Sequence, residues 1–128
     1  MKHSISVITV VYNGKDLLEG TIKSVINQTY PHIEYVMVDG NSKDGTQEII
    51  QQYADRIDQW ISEPDKGLYD AMNKGLRMAT GDFVLFMNAG DEFRNPDVLE
   101  KVFAKATEKT DVLYGEVMFV IEAREDQG

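Results

Sequence analysis

The chain contains no cysteine. Disulfides, thiolate zinc sites, iron–sulfur clusters and cysteine nucleophiles are therefore excluded. A reducing setting fits that count, and we expect the cytoplasm. Histidine is scarce as well: His3 and His32 stand alone, in no metal-ligand spacing, and both read as incidental. Ser42 has no histidine within motif distance, so a serine hydrolase triad has no support. Positive charge is in deficit, with 13 Lys and Arg against 22 Asp and Glu, a net −9. Nothing here could neutralise a run of phosphates, which argues against nucleic acid as partner. A small anionic ligand remains compatible if a cation bridges it. No apolar run approaches the ~18–20 residues of a membrane span. The start of the chain lacks the small-residue cleavage site of a secretory signal, so Asn27-Gln-Thr29 reads as a chance match to a glycosylation acceptor.

What is present is a regular alternation. Apolar residues make up 42% of 128, enough for one buried core. Residues 5–11 are β-branched and read as a buried strand. Asn13 can cap a helix in which Leu18, Ile22, Val25 and Ile26 share one face. Residues 33–38 read as a second strand, and Ile49, Ile50, Tyr53 and Ile57 as the stripe of a second helix. Trp60 and Ile61 mark a short third strand. Leu68, Ala71, Met72, Gly75, Leu76 and Ala79 form the strongest helical pattern, with Gly81 as its stop. Residues 83–87 are a continuous apolar strand. Asn95 and Pro96 then open a helix carrying Val98, Leu99, Val102, Phe103 and Ala106. Residues 112–114 and 117–121 are further strand candidates. Strands alternating with helices imply an α/β fold with a mostly parallel central sheet and helices on both faces. Such sheets bind ligands beyond the carboxyl ends of their strands.

The segments at those ends are Tyr12-Asn13, then 39–46, 63–67 and 88–92, and three of the four carry carboxylates. Gathered at one edge they repel unless a proton or cation intervenes. Two unit charges at ~4 Å interact by ~4 kcal/mol at an effective dielectric of ~20. Asp and Asn oxygens suit Mg2+ or Mn2+ better than zinc. Each segment also has a plain reading. Asp44 can simply cap the helix near Thr46, and Lys66 can be a solvated loop lysine. Rival motifs fail. Residues 40–45 have the glycine spacing of a phosphate loop, but Thr46 stands where lysine is required. No GxGxxG follows the first strand.

Four segments together resemble the inverting family 2 glycosyltransferases of the GT-A, nucleotide-diphospho-sugar transferase fold. They are ISVITVVYN (5–13), QTYPHIEYVMVDGNSKDGT (28–46), SEPDKGLYDAMNKGL (62–76) and ATGDFVLFMNAGDEF (79–93). The third most resembles bacterial enzymes of exopolysaccharide and lipopolysaccharide assembly. The resemblance implies a Rossmann-like three-layer sandwich, with residues 1–128 as a donor-binding GT-A domain that stops before the acceptor-binding half. It implies that Thr9, Val11, Tyr12 and Asn13 lie against base and ribose, and that Asp39, with Ser42 beside it, accepts a hydrogen bond from the base. It places Asp65, Lys66 and Asp70, with Glu63, along the donor, Lys66 meeting the diphosphate. Asn88 and Ala89 complete the nucleotide-sugar set, and Asp91 is the metal ligand.

Two departures stand out. Many relatives carry two or three aspartates where this chain has Asn88, Gly90 and Asp91, so only Asp91 keeps its carboxylate; Glu92 is a weaker helper. The acidic motif that supplies the family's catalytic base has no match after residue 93, so no catalytic residue is assigned. The expected reaction is transfer of a sugar from a nucleotide-diphosphate donor to a saccharide or lipid-linked saccharide acceptor, with a divalent metal as cofactor. Peripheral membrane contact in a longer enzyme and homo-oligomerisation through an apolar edge at 118–121 are further expectations. A nucleotide-sugar-binding module without transfer is the alternative. A nucleotidyltransferase is weaker, since only Asn13-Gly-Lys15 stands where that class carries a glycine-rich basic loop.

Overall fold

The computed structural model describes residues 3–105 and 121–122. Its elements run β1 (Ile5–Val11), α1 (Lys15–Ile26), β2 (Ile33–Asp39), α2 (Thr46–Gln52), a 3-10 turn (Ala54–Arg56), β3 (Gln59–Ser62), α3 (Leu68–Met78), β4 (Phe83–Asn88), α4 (Val98–Lys105) and β5 (Ile121–Glu122). The sheet order is β3-β2-β1-β4-β5. The first four strands are parallel, and β5 joins β4 antiparallel through Val84 and Ile121. This is the α/β arrangement with a mostly parallel sheet that the alternation implies, in the Rossmann-like form that the resemblance implies.

β1 lies between β2 and β4 and is buried along its whole length. That is why its sequence is a near-continuous β-branched run rather than an alternating one. Its side chains divide between two apolar layers. Ile5, Val7 and Val11 join Leu18, Ile22 and Val25 of α1, Ile50 of α2 and Leu99 of α4. Ile8 and Val10 join Val36, Val38 and Ala71 of α3 on the other face. Helix α3 lies unusually close to the sheet. A Cβ at Gly75 would sit 2.4 Å from Ile8 Cγ2, so glycine there is a packing requirement.

Several local expectations are corrected. Asn13 does not cap α1: it has φ +50°, and its side-chain oxygen accepts the Lys43 amide instead. The second helix ends at Gln52, and Ile57 reaches the same core from an extended backbone beyond the 3-10 turn. Leu68 and Leu76 follow the helical period of α3, yet they are 50% and 41% exposed. The helix ends at Met78, three residues before Gly81, which instead donates its amide to the Ser6 hydroxyl. α4 starts at Val98 with the Asp97 carbonyl accepting the Lys101 amide, so Pro96 belongs to the preceding turn. The candidate strands at 112–114 and 117–120, the apolar edge at 118–120 and Ala106 lie outside the described residues.

Candidate functional site

The parallel register brings the carboxyl ends of the strands into line: Val11 is opposite Asp39, Val10 opposite Asn88, and Asp39 opposite Ser62. A cleft of about 400 Å³ opens there. Tyr12, Asn13 and Leu17 form one wall, Asn88 and Ala89 another, and Asp65, Gly67 and Leu68 a third. Of the residues expected to bind a donor, Val11, Tyr12, Asn13, Asp65, Asn88 and Ala89 thus meet in one cavity. Gly14, Leu17, Gly67 and Leu68 also line it, and sequence reasoning did not single them out.

Three of the other expected residues, Thr9, Asp39 and Ser42, are placed behind this surface. Thr9 is fully buried and shares a hydrogen bond of 2.9 Å with the Tyr35 hydroxyl; burial pushes the Tyr35 phenol up, against that hydrogen bond. Asp39 is fully buried as well. Its carboxylate accepts the Ser42 hydroxyl at 2.5 Å, the Ser42 amide at 2.9 Å and the Ser62 hydroxyl at 2.7 Å. Ser42 in turn accepts the Asn13 amide at 2.7 Å. One buried carboxylate therefore ties together the ends of β1, β2 and β3 beneath the cleft. Gly40 completes that floor. A Cβ there would lie 2.7 Å from Asp65 Oδ2 and 3.2 Å from Tyr12 Cδ1, so its absence lets both close over the backbone.

The N-terminus of α1 faces the same region, but its first amides are taken. Gly14 donates to Thr46 Oγ1 at 3.1 Å and Lys15 to Asp44 Oδ2 at 3.2 Å. Asp44 also accepts the Thr46 amide at 3.1 Å, and the Thr46 hydroxyl bond above all holds its carboxyl below the usual range. The expectation that Asp44 serves the start of α2 is met, and it serves α1 in addition. The caps of α1 come from some thirty residues away.

The β3–α3 loop brings the charges. Asp65 Oδ1 accepts the Gly67 amide at 3.0 Å, and Asp70 Oδ2 accepts the Lys66 amide at 2.9 Å. The Lys66 amide, then the Lys74, Lys66 and Arg77 cations, hold the Asp70 carboxyl low despite its partial desolvation. Lys66 is exposed between two cleft residues. Asp91 sits one turn past β4, where its Oδ2 accepts the Asn88 amide at 2.8 Å. Among the described residues, no group of three His, Asp or Glu side chains could hold a metal by itself. Asp91 keeps a second carboxylate oxygen but lies beyond the cleft lining, which Asn88 joins. One or two protein oxygens fit a magnesium-class ion that takes its remaining ligands from phosphates and water, rather than a closed protein cage. Glu92 turns away, its carboxylate lying against Gly20 of α1.

The uncharged side of the cleft is apolar and exposed. Tyr12 is 67%, Leu17 57% and Leu68 50% exposed. Large apolar groups held in water around a concave site mark a binding surface. No helix among the described residues is long and apolar enough to cross a membrane.

Comparisons with known proteins bear on this geometry. The family model described as "Glycosyl transferase family 2" matches residues 6–127. TuaG of Bacillus subtilis, a glycosyltransferase assigned to teichuronic acid biosynthesis, is 42% identical over 104 residues, covering 78% of this chain and 40% of its own. A PGL/p-HBAD biosynthesis glycosyltransferase of Mycobacterium bovis is 35% identical over 118 residues, covering 88% of this chain and 46% of its own. The chain thus spans less than half the length of these relatives. Among solved structures, the mannosyltransferase PcManGT of Pyrobaculum calidifontis, in complex with GDP-Man and Mn2+, superposes with a TM-score of 0.78 at 27% identity, over 88% of this chain and 34% of that one. TarS 1–349 of S. aureus, in complex with UDP-GlcNAc, gives 0.73 at 25% identity, over 87% and 37%.

Proposed function

The chain belongs to glycosyl transferase family 2, and from that premise we propose that its cleft is the donor site of an enzyme that moves a sugar from a nucleoside diphosphate to an acceptor hydroxyl, with inversion at the anomeric carbon. The observation that carries the reading is the pairing of an exposed aromatic wall, Tyr12, with a polar loop, Asp65 to Gly67, across one cavity. A base can stack on the ring, and a ribose can meet Asp65. Lys66 meets the diphosphate at the mouth. Asp39 supports the base pocket from beneath, through Ser42 and the Asn13 amide. The relatives' names point to cell-surface polysaccharide or glycolipid as the acceptor class.

Asp91 and Asn88 would hold the divalent ion, Mg2+ or Mn2+. When bound, such an ion supplies positive charge to the departing diphosphate. This chain's own residues orient the donor: Ala89 and Asn88 close one side, and Leu68 and Leu17 keep water from the other. Asp65 is the one carboxylate lining the cleft among the described residues, and its bond to Gly67 suits it to positioning. The general base that takes the acceptor proton we assign to a residue outside those described.

Calorimetry with UDP, GDP and TDP, with and without Mn2+, tests donor binding. A radiolabelled-donor assay then separates enzyme from binding module. We expect at least one diphosphate to bind more tightly with Mn2+. In protein that also carries an acceptor-binding half, Asp91→Ala should abolish transfer. Intact transfer by that variant, with metal present, would remove the metal role.

A further inference from the structure

Lys74 has no place in the reading of the cleft, which it does not line. It stands on α3, and its side chain is only 13% exposed. Lysine seldom withdraws this far from water unless it is paired. All its partners lie in one short stretch. Its ammonium donates to the Pro64 carbonyl at 2.8 Å and lies 3.1 Å from Glu63 Oε2 and 3.7 Å from Asp70 Oδ2. Side chains on a helix lean toward its N-terminus, so Lys74 reaches back over the turn that begins at Asp70 and onto the loop before it.

The base from which it reaches is rigid. Ala71 is buried, and Gly75 holds α3 against Ile8 and Val38. The loop it reaches is not otherwise anchored by core side chains: Glu63, Pro64, Lys66 and Gly67 are all exposed. Two carboxylates, Glu63 and Asp70, share this one ammonium. Asp70 holds the Lys66 amide with the oxygen that faces Lys74. The chain of contacts therefore runs from the sheet, through α3 and Lys74, to the residues on either side of Lys66.

We infer that Lys74 is a positioning residue for the donor site: it clamps the 63–70 loop from behind, draws Glu63 and Asp70 toward its one ammonium, and so presents Asp65 and Lys66 to the cleft as the loop's ligand-facing charges. Asp70 then acts through the Lys66 amide and not on the donor, which revises the role its place in the sequence implied. The inference rests on the proposed donor site.

The test has two arms, one of which needs no nucleotide. Lys74→Met keeps the stem and removes the charge, and Lys74→Arg keeps the charge. Amide hydrogen exchange is followed at Lys66 and Gly67, with Val36 and Val38 as sheet controls, and UDP and GDP affinity is measured with Mn2+. We expect Lys74→Met to speed exchange at Lys66 by about tenfold, a local opening with the sheet unchanged. We expect affinity for the bound diphosphate to fall several-fold, and Lys74→Arg to recover most of both. Unchanged exchange in Lys74→Met overturns the clamp. Faster exchange with unchanged affinity overturns the presenting role while leaving the donor site standing. If wild type binds neither diphosphate, the donor-site reading itself fails, and the exchange arm still shows whether the clamp exists. Should Lys74→Met not fold, Glu63→Gln removes the shorter of its two ion pairs without touching the acceptor of the Lys66 amide; unchanged exchange at Lys66 and Gly67 there overturns the clamp equally.

Discussion

The two ends of the sheet handle carboxylates in opposite ways. At the amino ends of the strands, Glu34 is wrapped by its own chain. It accepts the Ser6 hydroxyl at 2.6 Å, the Thr80 amide at 2.8 Å, the Thr80 hydroxyl at 2.9 Å and a Gln59 amide proton at 3.0 Å. Burial pushes this carboxyl up, but the hydrogen bonds outweigh it and the net direction is down. Four stretches of chain meet at one saturated acceptor. At the carboxyl ends, Asp39 is saturated in the same manner, yet around it Tyr12, Leu17, Leu68 and Asn88 face a cavity. Saturation marks scaffold, and groups left open at a concave surface mark function. Asp39 shows that the two can be one layer apart.

Substitutions sharpen this contrast, taken from the largest expected effect downward. Asp39→Ala strands three donors in a buried place, so it should cost about 2–4 kcal/mol in urea unfolding. A cost near zero would mean that Asp39 is not the tie beneath the cleft. Tyr12→Ala should do the reverse. Its ring is exposed, so stability should stay within about 0.5 kcal/mol, while loss of base stacking should weaken nucleotide affinity by about 1–3 kcal/mol. An equal loss of stability would make Tyr12 scaffold.

Glu34→Gln should destabilise by about 1–2 kcal/mol at neutral pH. It should also flatten the acid limb. The folded-state value of Glu34 lies below the unfolded one, so the unfolded chain binds more protons in that window. Its contribution is complete above the ordinary carboxylate range and is lost as pH falls through the lower folded value. Unfolding midpoints between about pH 5 and 2 should fall less steeply in the variant. An unchanged slope would show that Glu34 does not supply this stability. The smallest effect belongs to the exposed pair of Lys101 on α4 with Asp97 just before it, 3.3 Å apart. Lys101→Ala should change stability by about 0.5 kcal/mol or less.

The strands were legible because β1 and most of β4 are buried and must be largely apolar. Helix ends were less so. Asn13 has the chemistry of a cap, but the oxygens that serve α1 belong to Asp44 and Thr46, and no local pattern reports a cap delivered across a sheet edge. Leu68 and Leu76 keep the helical period while facing outward, because α3 meets the sheet through Ala71 and Gly75, with Met72 and Met78 packed beside them. Within the site, Tyr12, Asp65 and Asn88 were readable from their positions just past strands. Whether a strand-end residue faces the cavity or the layer below depends on its neighbours' hydrogen bonds, and Asp39 and Thr9 went below. Leu17 and Leu68 carried no signal beyond apolarity. Lys74 carried none at all, since a lysine four residues after an aspartate on a helix is ordinary.

The cleft between Tyr12 and the 63–67 loop is proposed as a nucleoside diphosphate site, and every donor-binding role assigned above follows from that. Amide shifts followed while UDP or GDP is titrated with Mn2+ test this directly. The changes should concentrate at Tyr12, Asn13, Gly67, Asn88 and Ala89. Changes confined to the opposite end, around Tyr30, His32 and Phe103, or no changes with either nucleotide, would contradict it.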